Sequence, residues 1–143
     1  MQDRPIIIIV GPTASGKSSL AVKLAIVFGG EVVSADSRQV YKGMDIGSGK
    51  ITEREMQGVP HHLLDVASPK RVFTVARYVR IADKTIRDIK RRGRVPIVCG
   101  GTGFYIKALI DRIRIPNVPP NSKLRRVLEK IGVQELFTTA ILR

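Results

Sequence analysis

Gly11-Pro12-Thr13-Ala14-Ser15-Gly16-Lys17-Ser18 fits the pattern G-x-x-x-x-G-K-[ST], and its residue types are those that hold phosphate. Glycines let the backbone turn so that successive N–H groups point inward at phosphate oxygens. A helix beginning near Lys17 adds the positive end of its dipole. Lys17 contributes a mobile charge, and the Ser18 hydroxyl can ligate Mg²⁺. An ordinary strand-to-helix turn would need neither a lysine nor a serine after the second glycine. The pattern predicts phosphate binding without naming the guest. A nucleoside triphosphate is the usual one, and a diphosphate with Mg²⁺ satisfies the same donors.

A second group follows at Asp36-Ser37-Arg38-Gln39-Val40-Tyr41. A carboxylate, a guanidinium and an amide together suit recognition of a polar group beside a diphosphate. Asp36 can serve as a general base, a metal ligand or a cap of its own turn. Arg38 is either a ligand contact or one side of a surface salt bridge. Thr102, in Gly100-Gly101-Thr102-Gly103-Phe104-Tyr105, can cap the helix it opens. His61 and His62 have no acidic or cysteine partner at ligand spacing, so hydrogen bonds supporting the loop are expected of them, not metal binding. Cys99, inside an apolar run, reads as a core residue.

These residues need a frame, and the hydrophobic pattern supplies one. Residues 6–10 are β-branched and unalternated, which predicts a parallel strand buried on both faces. Residues 17–28 place Leu20, Ala21, Leu24, Ala25 and Phe28 on one helical face, with Gly29-Gly30 as the stop. Residues 31–35 read as a second strand with Asp36 at its carboxyl end. Strand, phosphate loop, helix, strand opens a βαβ unit, and open parallel sheets bind ligands along the carboxyl edge of their strands. Residues 42–60 show no period and many glycines, which predicts a long functional loop with a short helix near 52–56. Val75, Val79, Ala82, Ile86 and Ile89 recur at helical spacing over 75–92. Residues 95–99 read as a buried strand, with Pro96 tolerable near its start. A helix to about Ile110, the linker Ile115-Pro116-Asn117-Val118-Pro119-Pro120, a helix from 121 or 122 to 131 and another over 133–142 complete the pass.

Length and composition bound the function. A chain of 143 residues, 43% apolar, fits one ordinary globular domain and not a disordered segment. The longest strictly apolar run, 6–10, is far too short to cross a membrane. The single cysteine excludes an internal disulfide and a cysteine-based zinc site. With no signal or transit peptide in view, a cytoplasmic protein without membrane contact is expected. The formal charge of +13 favours a polyanionic partner such as nucleic acid, or else a solvated basic surface. Lys84, Arg87, Lys90, Arg91, Arg92 and Arg94 crowd the end of one helix. They are either a solvated face or a surface for an RNA backbone.

Four stretches, GPTASGKSSLA, SADSRQVYKGMDIGSGK, GVPHHLLDV and PIVCGGTGFYIKALI, resemble the successive motifs of the tRNA dimethylallyltransferase (tRNA isopentenyltransferase) family, and the resemblance covers residues 5 to 142. It implies an α/β, P-loop NTPase-like (kinase-like) parallel sheet flanked by helices. That core, 1–112, would be incomplete at its C-terminus, and 113–143 would begin a helical insertion that is cut short, since family members run considerably longer. The implied reaction is Mg²⁺-dependent transfer of a dimethylallyl group from dimethylallyl diphosphate to the exocyclic amine of the adenosine 3′ to the anticodon of tRNA. Gly11 to Ser18 would then bind the diphosphate, with Thr13 facing it, Lys17 stabilising its departure and Ser18 holding Mg²⁺. Asp36 would be the base on the flipped-out adenine, Ser37, Arg38 and Gln39 would contact tRNA, and Thr102 would sit at the reaction centre. A monomer is expected. Ser18 stands where many members carry threonine, and the hydroxyl is retained. Alternatives are an adenylate isopentenyltransferase, a P-loop kinase with Asp65 as its nearest candidate metal-binding carboxylate, and a catalytically dead basic RNA-binding remnant. The DSRQVY stretch and the basic charge favour the tRNA-acting branch.

Overall fold

A computed structural model describes residues 5–113, 115 and 118–141 of the chain. The element order is β1 (Ile7–Val10), α1 (Lys17–Phe28), β2 (Gly30–Ser34), α2 (Glu53–Met56), β3 (His61–His62), α3 (Val75–Arg91), β4 (Val95–Gly100), α4 (Gly103–Ile110), α5 (Ser122–Leu128) and α6 (Val133–Ile141). The strands form one parallel sheet in the order β1-β4-β2-β3. β4 is the centre: Ile97 lies opposite Ile7 on one side and Val32 on the other, and all six β4 residues are buried. A strand covered on both faces needs apolar side chains pointing both ways, which explains the unalternated Val-Pro-Ile-Val-Cys.

Each face has its own cluster. On one side Ala21, Val22 and Ala25 of α1 pack on Ile9, Val32, Ile97 and Cys99. On the other, Tyr78, Ala82, Ile86 and Ile89 of α3 and Tyr105 and Ile106 of α4 pack on Val33, Ala35 and Val98. Tyr78 and Tyr105 stack with ring centroids 4.2 Å apart and planes 14° apart, fastening α3 to α4. The Tyr105 hydroxyl donates to the Phe73 carbonyl at 3.3 Å. Among the described residues none of either cluster lies beyond Leu109. In α5 and α6, Leu124, Val127, Val133 and Phe137 are exposed. Among the described residues no helix is long and apolar enough to cross a membrane.

Three expectations are corrected here. β1 is not buried on both faces: Ile8 is 38% and Val10 56% exposed. It is an edge strand with β4 as its neighbour, and the α3–α4 layer lies over β4 and β2 instead. The buried stripe of α1 is Ala21, Val22 and Ala25, while Leu20 and Phe28 point outward, because small alanines let the helix seat closely on the sheet. On α3 the dominant buried side chain is Tyr78, which the aliphatic period passed over. β3 escapes any periodicity because it is only two residues long. Val133–Ile141 matches the last expected helix, whose final position, 142, lies outside the described residues.

Two contacts fix the sheet's edges. Gly100 ends β4 where β2 passes: an added Cβ would stand 2.2 Å from the Ala35 carbonyl oxygen. Below, the buried carboxylate of Glu31 accepts from Arg92 Nη2 and is bonded to His62 Nε2, each at 2.7 Å, tying β2 to β3 and to the end of α3. Burial alone would raise the Glu31 pKa, but Arg92 and His62 outweigh it and hold the carboxyl below its ordinary 4.5.

Gly100→Ala should destabilise by about 1–3 kcal/mol or more, because backbone cannot yield to the new methyl. Gly103→Ala, with open space around its Cβ position, should be neutral or stabilising in urea unfolding. Equal effects of the two would refute the close-approach argument. Glu31 has a folded pKa below its unfolded one. Its contribution is therefore full above about pH 4.5 and disappears as pH falls through the lower folded value. Glu31→Gln should lose stability at neutral pH and show a flatter acid limb than wild type, read from urea midpoints between neutral pH and about pH 3.

Candidate active site

β1, β4 and β2 bring their carboxyl ends together, and the three sequence groups meet there. The Ala35 N–H donates to the Cys99 carbonyl at 2.8 Å, and the Thr102 N–H donates to the Ala35 carbonyl at 3.1 Å. Gly101 lies against the Gly11 carbonyl, at 3.4 Å from where a Cβ would be. The phosphate loop, Asp36 and the second glycine turn thus share one edge, where open parallel sheets place their ligands.

The loop has the expected build. Gly16 takes φ 80° immediately before α1, and Ala14 takes φ 62°, so the backbone curls through left-handed positions that glycine adopts freely. The Gly16 carbonyl receives the Leu20 N–H at 3.0 Å, which starts the helix directly behind the loop. Lys17 Nζ donates to the Pro12 carbonyl and to Ser15 Oγ at 3.4 Å, lying across the loop. A cleft of about 420 Å³ opens above it, lined by Thr13 to Ser19, Asp36, Gln39, Ser48, Gly49, Glu55 and Cys99-Gly100-Gly101. Gly11 and Pro12 form the start of the loop and are not part of that lining.

Asp36 is both a cap and a cleft residue. Its Oδ1 accepts from the N–H of Arg38 at 2.8 Å and of Gln39 at 3.4 Å. Among the described residues nothing bonds Oδ2. The Asx turn therefore fixes one oxygen and with it the direction of the other. Ser37 and Thr102 form a crossbrace: Thr102 Oγ1 accepts from the Ser37 N–H at 2.9 Å and donates to Ser37 Oγ at 3.2 Å. The Thr102 side chain does not cap α4; its carbonyl receives the first helical N–H groups instead. Arg38 is exposed and makes no ion pair among the described residues. Gln39 Nε2 donates to the Gly49 carbonyl at 3.0 Å, so its amide is turned toward the loop wall. The cleft lining includes neither Ser37, Arg38 nor Thr102, which stand behind and beside it.

Other residues fall elsewhere. His61 Nδ1 is bonded to the Val59 carbonyl at 2.8 Å, the loop support expected of it. His62 has an acidic partner after all, Glu31, supplied by a strand thirty-one positions earlier. Among the described residues no three His, Cys, Asp or Glu side chains gather as a metal cluster. Asp65 pairs with Lys50 at 2.7 Å and does not line the cleft, so it does not serve as the kinase-type carboxylate. Cys99 is buried, and burial pushes its thiol pKa up. On α3, Arg87 pairs with Asp83, Arg91 with Asp88 and Arg92 with Glu31. Three of that cluster thus have carboxylate partners, two on α3 itself and one, Glu31, on β2. Ser48, Gly49 and Glu55 were missed as cleft residues. Their signal was the glycine-rich run before the Thr52 cap, whose Glu55 carboxylate is bonded to the Thr52 N–H and hydroxyl at 2.8 and 2.7 Å.

Residues 39–141 match the family model described as IPP transferase. The chain is 52% identical over 126 residues to the tRNA dimethylallyltransferase of Thermomicrobium roseum, covering 88% of this chain and 38% of that protein. It superposes on the crystal structure of the full-length tRNA isopentenylpyrophosphate transferase of Bacillus halodurans with a TM-score of 0.78 at 44% identity, covering 96% of this chain and 46% of the other. A eukaryotic dimethylallyltransferase described as acting on tRNA gives a TM-score of 0.80 at 34% identity, with 95% and 35% covered. The fold is that of a P-loop NTPase-like protein. The chain spans about two fifths of the length of the curated relatives it matches.

Thr102→Val leaves the half-buried Ser37 N–H without its acceptor and should cost about 1–2 kcal/mol in urea unfolding. Thr102→Ser, which keeps the oxygen, should recover most of that. Equal stability of wild type and Thr102→Val would show that the crossbrace holds nothing.

Proposed function

Because the chain belongs to the IPP transferase family, we propose that it carries the diphosphate cradle and the base of a tRNA dimethylallyltransferase. The donor is dimethylallyl diphosphate, and the acceptor is the exocyclic amine of the adenosine 3′ to the anticodon. The observation that carries this reading is that one cleft is lined both by the phosphate loop and by Asp36.

The chemistry asks little else of the protein. The amine nitrogen attacks the allylic carbon, the carbon–oxygen bond to diphosphate breaks, and the amine loses one proton. Negative charge grows on the departing diphosphate, which the loop N–H groups and Lys17 would stabilise. Mg²⁺ keeps several waters and takes only one or two protein oxygens beside substrate phosphates. The Ser18 hydroxyl, a hard oxygen lining the cleft, fits that demand and would hold the ion. When bound, the ion neutralises charge on the leaving group. Asp36 Oδ2 accepts the amine proton while Oδ1 stays bonded to the Arg38 and Gln39 N–H groups. Thr102, just past β4, acts through Ser37 to hold that turn where it leaves β2. The exposed guanidinium of Arg38, one turn from the base, suits the acceptor's phosphates.

The test is transfer from labelled dimethylallyl diphosphate to unmodified tRNA, by the chain alone and joined to the C-terminal remainder of the Bacillus halodurans relative. Asp36→Ala should lower kcat by about 10²–10⁴-fold with little change in diphosphate affinity. Lys17→Ala should weaken both. ATP with Mg²⁺ binding far more tightly than dimethylallyl diphosphate with Mg²⁺ would sink the proposal, as would full activity in Asp36→Ala. Prenylation of free AMP but not of tRNA would reassign the acceptor.

A further inference from the structure

The loop of residues 42–50 leaves the body of the protein and returns beside the phosphate loop. At its carboxyl foot Ser48 and Gly49 line the cleft, and the Gly49 carbonyl holds the Gln39 amide. Its tip is bare: Ile46 is fully exposed and Met44 is 42% exposed. Gly43, Gly47 and Gly49 all have positive φ, so the backbone offers little stiffness of its own. Something at the base must hold it.

Lys50 does. Its side chain is only 8% exposed, and Nζ donates to three oxygens: Asp45 Oδ1 at 2.6 Å, Asp65 Oδ1 at 2.7 Å and the Tyr41 carbonyl at 3.2 Å. Asp45 lies within the loop, Tyr41 precedes it, and Asp65 belongs to the segment running beside its entrance. There the Lys42 N–H donates to Ala67 at 2.9 Å, Ala67 to Val40 at 2.9 Å and Asp65 to Gln39 at 3.2 Å. An ammonium has three rotatable donors for three acceptors in different directions, whereas a planar guanidinium cannot reach all three. Burial by itself would lower the Lys50 pKa, but the two carboxylates outweigh it and raise it, so the clasp keeps its charge.

We propose that Lys50 is a positioning residue for the cleft: it joins both feet of the 42–50 loop and so holds Ser48, Gly49 and the Gln39 amide against the phosphate loop. The proposal rests on the reading of the cleft as a diphosphate site.

The experiment uses the whole 143-residue chain, with inorganic pyrophosphate and Mg²⁺ as the probe, titrated calorimetrically and followed by amide hydrogen exchange. In Lys50→Met, exchange across 42–50 should rise roughly 10–100-fold while β2 and β4 keep their protection. Pyrophosphate affinity should fall about tenfold, the size of a modest coupling between sites. Lys50→Arg should recover part of both. Asp45→Ala removes only the loop-side arm, leaves Lys50 two acceptors, and should move both readouts the same way by less. It decides the matter if Lys50→Met does not fold. Unchanged exchange in 42–50 would overturn the proposal. So would protection lost evenly through the sheet, the mark of a merely structural lysine. Wild-type chain that binds no pyrophosphate refutes the diphosphate reading and takes this proposal with it. Wild type that binds, beside a Lys50→Met variant that binds equally well, overturns the Lys50 assignment alone.

Discussion

The site depends on how closely β2 and β4 run at their carboxyl ends. Gly100 has no side chain because the Ala35 backbone occupies that space. Three backbone and side-chain bonds follow from that approach: Ala35 to Cys99, Thr102 to Ala35 and Ser37 to Thr102. Each carries one chain past the other at the point where both leave the sheet. The approach sets where Asp36 stands, because Asp36 is the next residue after Ala35. It also sets where the phosphate loop stands, because Gly101 meets Gly11 on the far side. A bulkier residue at 100 would push β2 and β4 apart and carry Asp36 away from the phosphate loop.

The charges divide into those that build and those that remain available. Glu31 and Lys50 are single buried charges, Glu31 held by Arg92 and His62 and Lys50 by Asp45 and Asp65, and each ties together segments distant in sequence. Breaking either would leave an uncompensated buried ion, which is costlier than the pair is stabilising. At the end of α3, Arg87, Arg91 and Arg92 are paired with Asp83, Asp88 and Glu31, and Arg77 lies over the Phe73 ring. Arg38 at the cleft and Lys123, Arg125 and Arg126 on α5 have no ion pair among the described residues.

Local pattern made much of this legible. The phosphate loop, α1, α3 and β4 are continuous in sequence and obey a period or a motif, so their bounds and their neighbourhood could be read. Burial on β1 could not, because an apolar run says that a strand is apolar and not which neighbours cover it. Tyr78 was passed over because a tyrosine in an amphipathic helix reads as a boundary residue until a stacking partner, Tyr105, is known. The partners of His62 and Asp65 are not legible in the sequence for the same reason: Glu31 and Lys50 reach them only through the fold. Ser48 and Gly49 join the cleft through a loop closed by an ion pair, and no periodicity reports that.

The carboxylates around the cleft bear on which group moves. A kinase moves the phosphoryl group and places metal-bound carboxylates around it. Here Asp65 is engaged with Lys50 and Glu55 with the Thr52 cap, and Asp36 keeps one oxygen unbonded by any described residue. A single proton acceptor beside a cradle of N–H groups and a lysine suits a reaction in which the phosphates stay in the loop and only their charge grows. In the proposed transfer the amine becomes acidic as its new carbon–nitrogen bond forms, so a carboxylate suffices to take the proton. The energetic demand of that transfer would fall on the leaving group, and the loop, Lys17 and Ser18, which line the cleft together, would meet it.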